Sequence, residues 1–99
     1  MKDKILEWAN DRGLTSPDNP ERQFLKLAEE VGELADCIGK DDKRGQIDAI
    51  GDIQVVLIIL AKKLGFNVDE CLEFAYEEIK NRTGKTVNGV FVKDGKERT

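Results

Sequence analysis

Nine consecutive residues, Ile53-Gln54-Val55-Val56-Leu57-Ile58-Ile59-Leu60-Ala61, hold one polar side chain, and Asp48 and Asp52 stand just before them. At about 100° per residue, Asp48, Asp52, Val55 and Ile59 fall along one strip of a helix, and Ile50, Ile53, Leu57, Leu60 and Leu64 fall on the opposite side. A helix that is apolar all round must be covered all round. A chain of 99 residues has too few helices to do this comfortably alone. The run therefore demands helix-on-helix packing and points to an obligate dimer or a dimer of dimers. It is far short of the roughly 20 residues needed to span a bilayer, so no membrane partner is expected.

The acids matter as much as the apolar run. Glu30 and Glu33 lie in Glu29-Glu30-Val31-Gly32-Glu33, and Asp48 and Asp52 in Asp48-Ala49-Ile50-Gly51-Asp52. Each pair is three or four residues apart, which puts two carboxylates on one side of a helix. Acids at the edge of an apolar segment are costly unless something pairs with them. A hard divalent cation is a natural partner for several carboxylates, and Mg²⁺ is the usual one in phosphate chemistry. The competing readings are a solvated polar face for the first pair and, for Asp48, an acid favoured by the positive end of the helix. Asp52 is deeper and less easily explained that way.

The flanking segments read as helices. The first runs from about Lys2 to Arg12, with Ile5, Leu6, Trp8 and Ala9 on its apolar side and Gly13 beyond its end. A polar loop, 15–20, follows. Asn19 caps a second helix with Pro20 in its first turn; this runs to about Ile38, and its main apolar stripe is Phe24, Leu27, Ala28, Val31, Leu34, Ala35 and Ile38. On this reading Lys26, Glu30, Glu33 and Cys37 lie roughly opposite the stripe. Residues 41–45 form a charged connection to a third helix, about Gln46 to Leu64. A fourth helix spans Val68 to about Asn81. Asn88-Gly89, flanked by Thr86-Val87 and Val90-Phe91-Val92, reads as a β-hairpin, and residues 93–99 as a charged, flexible tail. The expected fold class is thus all-α, a four-helix bundle forming dimers or tetramers, with a short hairpin-like segment near the C-terminus and one domain over residues 1–99.

Composition narrows the chemistry. A net charge of −4 argues against binding a nucleic acid polymer by bulk charge. Histidine is absent, which excludes His-based triads and His zinc sites and leaves carboxylates, Lys and metal. Cys37 and Cys71 have no CxxC spacing, and Met1-Lys2-Asp3-Lys4 does not open a secretory signal, so a reduced, cytoplasmic setting is expected. Gly84-Lys85-Thr86 is like the end of a P-loop, but a helix precedes it and the motif's first glycine would fall at Ile79.

Three blocks in this order resemble the MazG-like all-α nucleoside triphosphate pyrophosphohydrolases, the short, single-domain phage-type members above all. They are Gln23 to Leu34, Asp48 to Ile53, and Ala75 to Lys85. The resemblance implies Mg²⁺-dependent hydrolysis of an NTP or dNTP to the monophosphate and pyrophosphate, with Mn²⁺ as a possible substitute. It also implies homodimers or homotetramers with sites between helices of different subunits. The family's ligand pattern is ExxE followed by ExxD. Glu30 and Glu33 match the first half, and Asp52 matches the final acid. Ala49 stands where the remaining acid belongs, and Asp48, one residue earlier, is the substitute; the fourth ligand and the number of ions stay open. Catalytic roles fall to Glu29, Glu30 and Glu33, with Glu29 either supporting the ligands or activating water. Substrate-binding candidates are Lys26, Lys80, Arg82, Lys85 and Lys93 for the phosphates and Trp8, Gln23, Asn81 and Phe24 for the base. For each cation the competing reading is a solvated surface charge, and for Trp8 and Phe24 it is simple core packing. Two other functions remain alongside this one: a non-catalytic helical dimer acting as an interaction or regulatory module, and a related all-α pyrophosphatase acting on another nucleotide.

Overall fold

A computed structural model of the chain describes residues 1–95. It contains four helices, α1 (Lys2–Asp11), α2 (Pro20–Gly39), α3 (Lys43–Lys63) and α4 (Val68–Ile79), and two strands, β1 (Gly84–Val87) and β2 (Val90–Lys93). The class is all-α with one small antiparallel sheet, as the sequence pattern led us to expect. The chain divides into two compact units, Met1–Val68 and Asp69–Thr99.

The first unit is organised around α3, which packs against both α2 and α1. Its buried residues are Ala9 on α1, Glu30 on α2, and Ala49, Val56, Ile59, Leu60 and Ala61 on α3. Three of these are alanines, which let the helices come close. The ends of α1, α2 and α3 close in the same way. After α1, the Gly13 N–H donates to Asn10 and the Leu14 N–H to Ala9; after α3, Gly65 and Phe66 do the same to Lys62 and Ala61. Both glycines take positive φ, the conformation this helix stop requires. After α2, Asp41 takes that conformation at φ 55°, and Gly39 remains inside the helix.

Two local expectations are corrected here. Asn19 stands at the start of α2, but its backbone is left-handed and its side chain accepts no capping hydrogen bond. Pro20, which has no N–H to satisfy, still suits the first helical position. α3 begins at Lys43, three residues before Gln46, because Asp42 caps it: its Oδ1 accepts from the Gly45 N–H at 3.0 Å. What reads as a charged linker is therefore mostly the first turn of α3. The loop between α1 and α2 is held by Lys63, whose Nζ donates to the carbonyls of Ser16 at 2.9 Å and Asp18 at 2.8 Å.

In the second unit, α4 has no buried residue, and Leu72, Phe74, Tyr76 and Ile79 are exposed. β1 and β2 pair antiparallel from Gly84↔Lys93 to Val87↔Val90. Asn88 at φ 51° and Gly89 at φ 79° make the turn, the conformation expected of an Asn-Gly hairpin. Lys93 belongs to β2, and the Asp94 N–H donates to the Thr83 carbonyl at 3.0 Å, so the first two residues of the expected tail are part of the hairpin. The rest of that expectation, over 96–99, lies outside the described residues. Among the described residues, no helix is long and apolar enough to cross a membrane.

Candidate active site

The phase of α2 decides where its acids point. Leu27, Leu34 and Cys37 are half-buried and Glu30 is 5% exposed, so the face turned inward runs Gln23, Leu27, Glu30, Leu34, Cys37. The apolar stripe read from sequence is only partly used: Leu27 and Leu34 pack, while Phe24 is 57% and Ile38 61% exposed. Glu30, placed by sequence on a face opposite the stripe, is the buried polar residue of the unit. Leu27 and Leu34, three residues before and four after it, were the signal that its face turns inward.

Glu30 is buried without full compensation. Its Oε2 has no hydrogen-bond partner, and its Oε1 pairs with Lys26 Nζ at 3.5 Å. Glu33, one turn on, is exposed, yet its carboxyl is held above the ordinary range. The charge of Glu30 is the main cause, followed by the hydrogen bond that a protonated Glu33 makes to Glu30 and by desolvation; Lys26 opposes the shift and Asp52 adds to it. As carboxylates, Glu30 and Glu33 are both acceptors and cannot satisfy each other. Asp52, half-buried on α3, is also raised, first by desolvation and then by the charges of Asp48 and Glu30, again against Lys26. Acids from both helices thus feel one another across the α2–α3 contact.

Asp48 is exposed and Ala49, beside it, is 3% exposed. A carboxylate at position 49 would be enclosed; at position 48 it stands outside, within electrostatic reach of Asp52. Among the described residues, no three acidic or thiol side chains already stand in a metal-binding arrangement. The donor set still fits a hard cation: an orphaned buried carboxylate oxygen and two acids held above their ordinary range, Glu33 mainly by the charge of Glu30 and Asp52 mainly by desolvation, need either protons or a cation to relieve them.

The other candidates are distributed as follows. Lys26 joins the acids, and Gln23 is half-buried on the same face of α2. Glu29 is exposed. Trp8 on α1 is partly exposed, with the Arg12 guanidinium 4.3 Å from its ring centroid and Arg12 Nη1 donating to the Trp8 carbonyl. Lys80, Asn81, Arg82 and Lys85 all belong to the second unit. Lys80 pairs with Glu77 at 2.6 Å, Arg82 is half-buried, and Asn81 and Lys85 are exposed.

Residues 18–87 match the MazG nucleotide pyrophosphohydrolase domain. This match covers α2, α3, α4 and β1, and the chain belongs to that family. Membership assigns nucleotide pyrophosphohydrolase activity at the level of the family. The chain is also 44% identical, over 69 residues, to an uncharacterised 18.2 kDa protein from the rep-hol intergenic region of Haemophilus phage HP1 (strain HP1c1). That alignment covers 70% of this chain but 41% of the phage protein, so the match spans less than half of that relative. No solved structure matches the chain.

Proposed function

We propose that this protein is a Mg²⁺-dependent nucleoside triphosphate pyrophosphohydrolase that converts an NTP or dNTP to the monophosphate and pyrophosphate. The observation that carries the reading is the buried Glu30 oxygen without a partner, beside Glu33 and Asp52, in a chain of this family. Glu30, Glu33 and Asp52 would hold the cation, with Asp48 at the exposed rim. A hard cation bound there neutralises phosphate charge and acidifies water, with Mn²⁺ able to replace Mg²⁺.

The chain's own groups do the rest. A carboxylate of the α2 acidic run, Glu29 or a neighbour, orients the attacking water and takes its proton. The water attacks the α-phosphorus, and pyrophosphate leaves. Positioning and charge stabilisation carry most of such a transfer, so the absence of histidine is no obstacle. Lys26 binds phosphate, and Lys80, Arg82 and Lys85 are further phosphate candidates of the chain. Trp8, Gln23 and Asn81 contact the base. The working form is a homodimer or homotetramer, in the cytoplasm, as one functional domain. The exposed Phe24, Val31 and Ile38 on α2 and Ile47, Ile50 and Leu57 on α3 support an oligomer, since covering their exposed apolar surface is favourable by roughly 25 cal/mol per Å².

The same apolar exposure favours a second reading, a non-catalytic helical oligomer. Pyrophosphate release over canonical and modified nucleoside triphosphates, with Mg²⁺ and with EDTA, separates them. Release that needs Mg²⁺ and is lost in Glu33→Gln and Asp52→Asn supports the hydrolase. No turnover on any triphosphate, with both variants folded, overturns it in favour of the oligomeric module or of another nucleotide.

A further inference from the structure

We propose that Lys26 is a built-in counter-ion of the acidic site, holding the place of the divalent cation until that ion arrives and then turning to the substrate's phosphates. This rests on the reading of Glu30, Glu33 and Asp52 as cation ligands and adds a positioning residue to it.

The argument starts from the ion pair itself. At 3.5 Å, Lys26 Nζ and Glu30 Oε1 are farther apart than the roughly 2.7–2.9 Å of a charge-assisted hydrogen bond. Lys43–Asp41 at 2.9 Å and Lys80–Glu77 at 2.6 Å are closer, and the i,i+4 pair Lys40–Asp36 is as loose at 3.7 Å, but both of its partners are exposed. The Lys26–Glu30 pair is uneven: the Lys26 side chain is 56% exposed, and that of Glu30 only 7%. A flexible, hydrated ammonium thus meets a fixed, buried carboxylate whose other oxygen has no partner at all. Lys26 is therefore the charge that offsets the buried Glu30 carboxylate in the ion-free protein.

Two consequences follow from electrostatics. A divalent cation entering the acids must overcome the repulsion of the ammonium, so Lys26 lowers the site's affinity for the ion. Once the ion neutralises the acids, Lys26 loses its anionic partner. Its four-carbon stem lets the head swing outward by several ångströms, where a triphosphate provides new anionic partners. Ion binding and substrate binding are thereby coupled through one side chain.

The test is Mn²⁺ binding to the nucleotide-free protein, followed by electron paramagnetic resonance, in wild type, Lys26→Met and Lys26→Arg. Lys26→Met should bind Mn²⁺ roughly five- to tenfold more tightly, the scale expected for removing one nearby like charge at a partly exposed site. Lys26→Arg should match wild type. With the cation saturating, Lys26→Met should raise KM for the triphosphate more than it lowers kcat. Unchanged or weaker Mn²⁺ binding in Lys26→Met, or equal tightening in Lys26→Arg, overturns the counter-ion role while leaving the metal site standing. If wild type and Glu33→Gln alike bind no Mn²⁺, the metal site and the counter-ion role fall together.

Discussion

A Cβ on Gly45 would lie 2.5 Å from the Cys37 Sγ and 2.6 Å from Asp42 Oδ2, so the first turn of α3 lies against the last turn of α2 with no room for a methyl group. Gln46 Nε2 ties the same corner by donating to the Cys37 carbonyl at 3.2 Å. Gly45→Ala gains about 1 kcal/mol of helix propensity. It loses the Asp42 cap, worth about 1 kcal/mol, and adds an overpacking cost of roughly 1–3 kcal/mol. Net destabilisation of about 1–3 kcal/mol is expected by urea denaturation. Stabilisation would mean that the corner yields freely.

The raised carboxyls of Glu33 and Asp52 give a pH dependence of definite sign. Both bind their protons more tightly folded than unfolded. The stability they contribute is present below the ordinary carboxyl range and is lost as pH rises through their raised folded values. In EDTA, the denaturation midpoint should therefore carry a falling contribution as pH rises above the ordinary carboxyl range, about 4. Glu33→Gln and Asp52→Asn should each flatten that slope and be more stable than wild type at neutral pH. Slopes identical to wild type in both variants would remove the electrostatic account.

Divalent cation should reverse this penalty. At about one hundred times its dissociation constant, the ion adds about 2.7 kcal/mol to a protein that binds it only when folded. Thermal unfolding with and without Mg²⁺ should show that increment in wild type and little of it in Glu33→Gln or Asp52→Asn. An equal increment in all three would place the ion elsewhere.

Phe24, Val31 and Ile38 stand on the outer side of α2. If a second copy covers them, Val31→Glu places a charge in that contact. Sedimentation should then show a shift toward monomer, with helix content in circular dichroism retained. A wild-type chain that sediments as a monomer at micromolar concentration would dispose of the oligomer.

Trp8 is the chain's single tryptophan, and its ring carries Arg12 on one face. If Trp8 contacts the base, a non-hydrolysable triphosphate analogue should quench its emission saturably, and Trp8→Phe should raise KM with kcat largely kept. Emission that ignores the analogue would leave Trp8 a packing residue.

Much of this architecture can be read directly from the residues. The helical periods, Pro20 opening α2, the glycines past α1 and α3, and Asn88-Gly89 between two strands all act locally, over a few neighbours, and each lies close to where local rules put it. The phase of α2 does not follow from such rules. Its seven-residue stripe promised an inward face, but α3 received the face with Leu27 and Leu34 on either side of Glu30, because which stripe is used depends on the partner helix. The early start of α3 was hidden for a similar reason: five polar or small residues, 41–45, look like a linker until Asp42 closes on the Gly45 N–H. In the site, the pairing of two acids per helix was legible. The burial of Glu30, the exposure of Asp48 beside a buried Ala49, and the involvement of Lys26 needed two helices side by side.

The grip of Lys63 on Ser16 and Asp18 crosses 47 and 45 residues of chain. The local bond there, Thr15 Oγ1 donating to Asn10 Oδ1 at 2.9 Å, is between neutral groups, so the order of 16–18 depends mainly on the last turn of α3 being in place. During folding, the segment between α1 and α2 must settle after the far end of α3 has wound. Exchange of its amide protons should therefore track the opening of that distant turn, more than the fraying of either helix it joins.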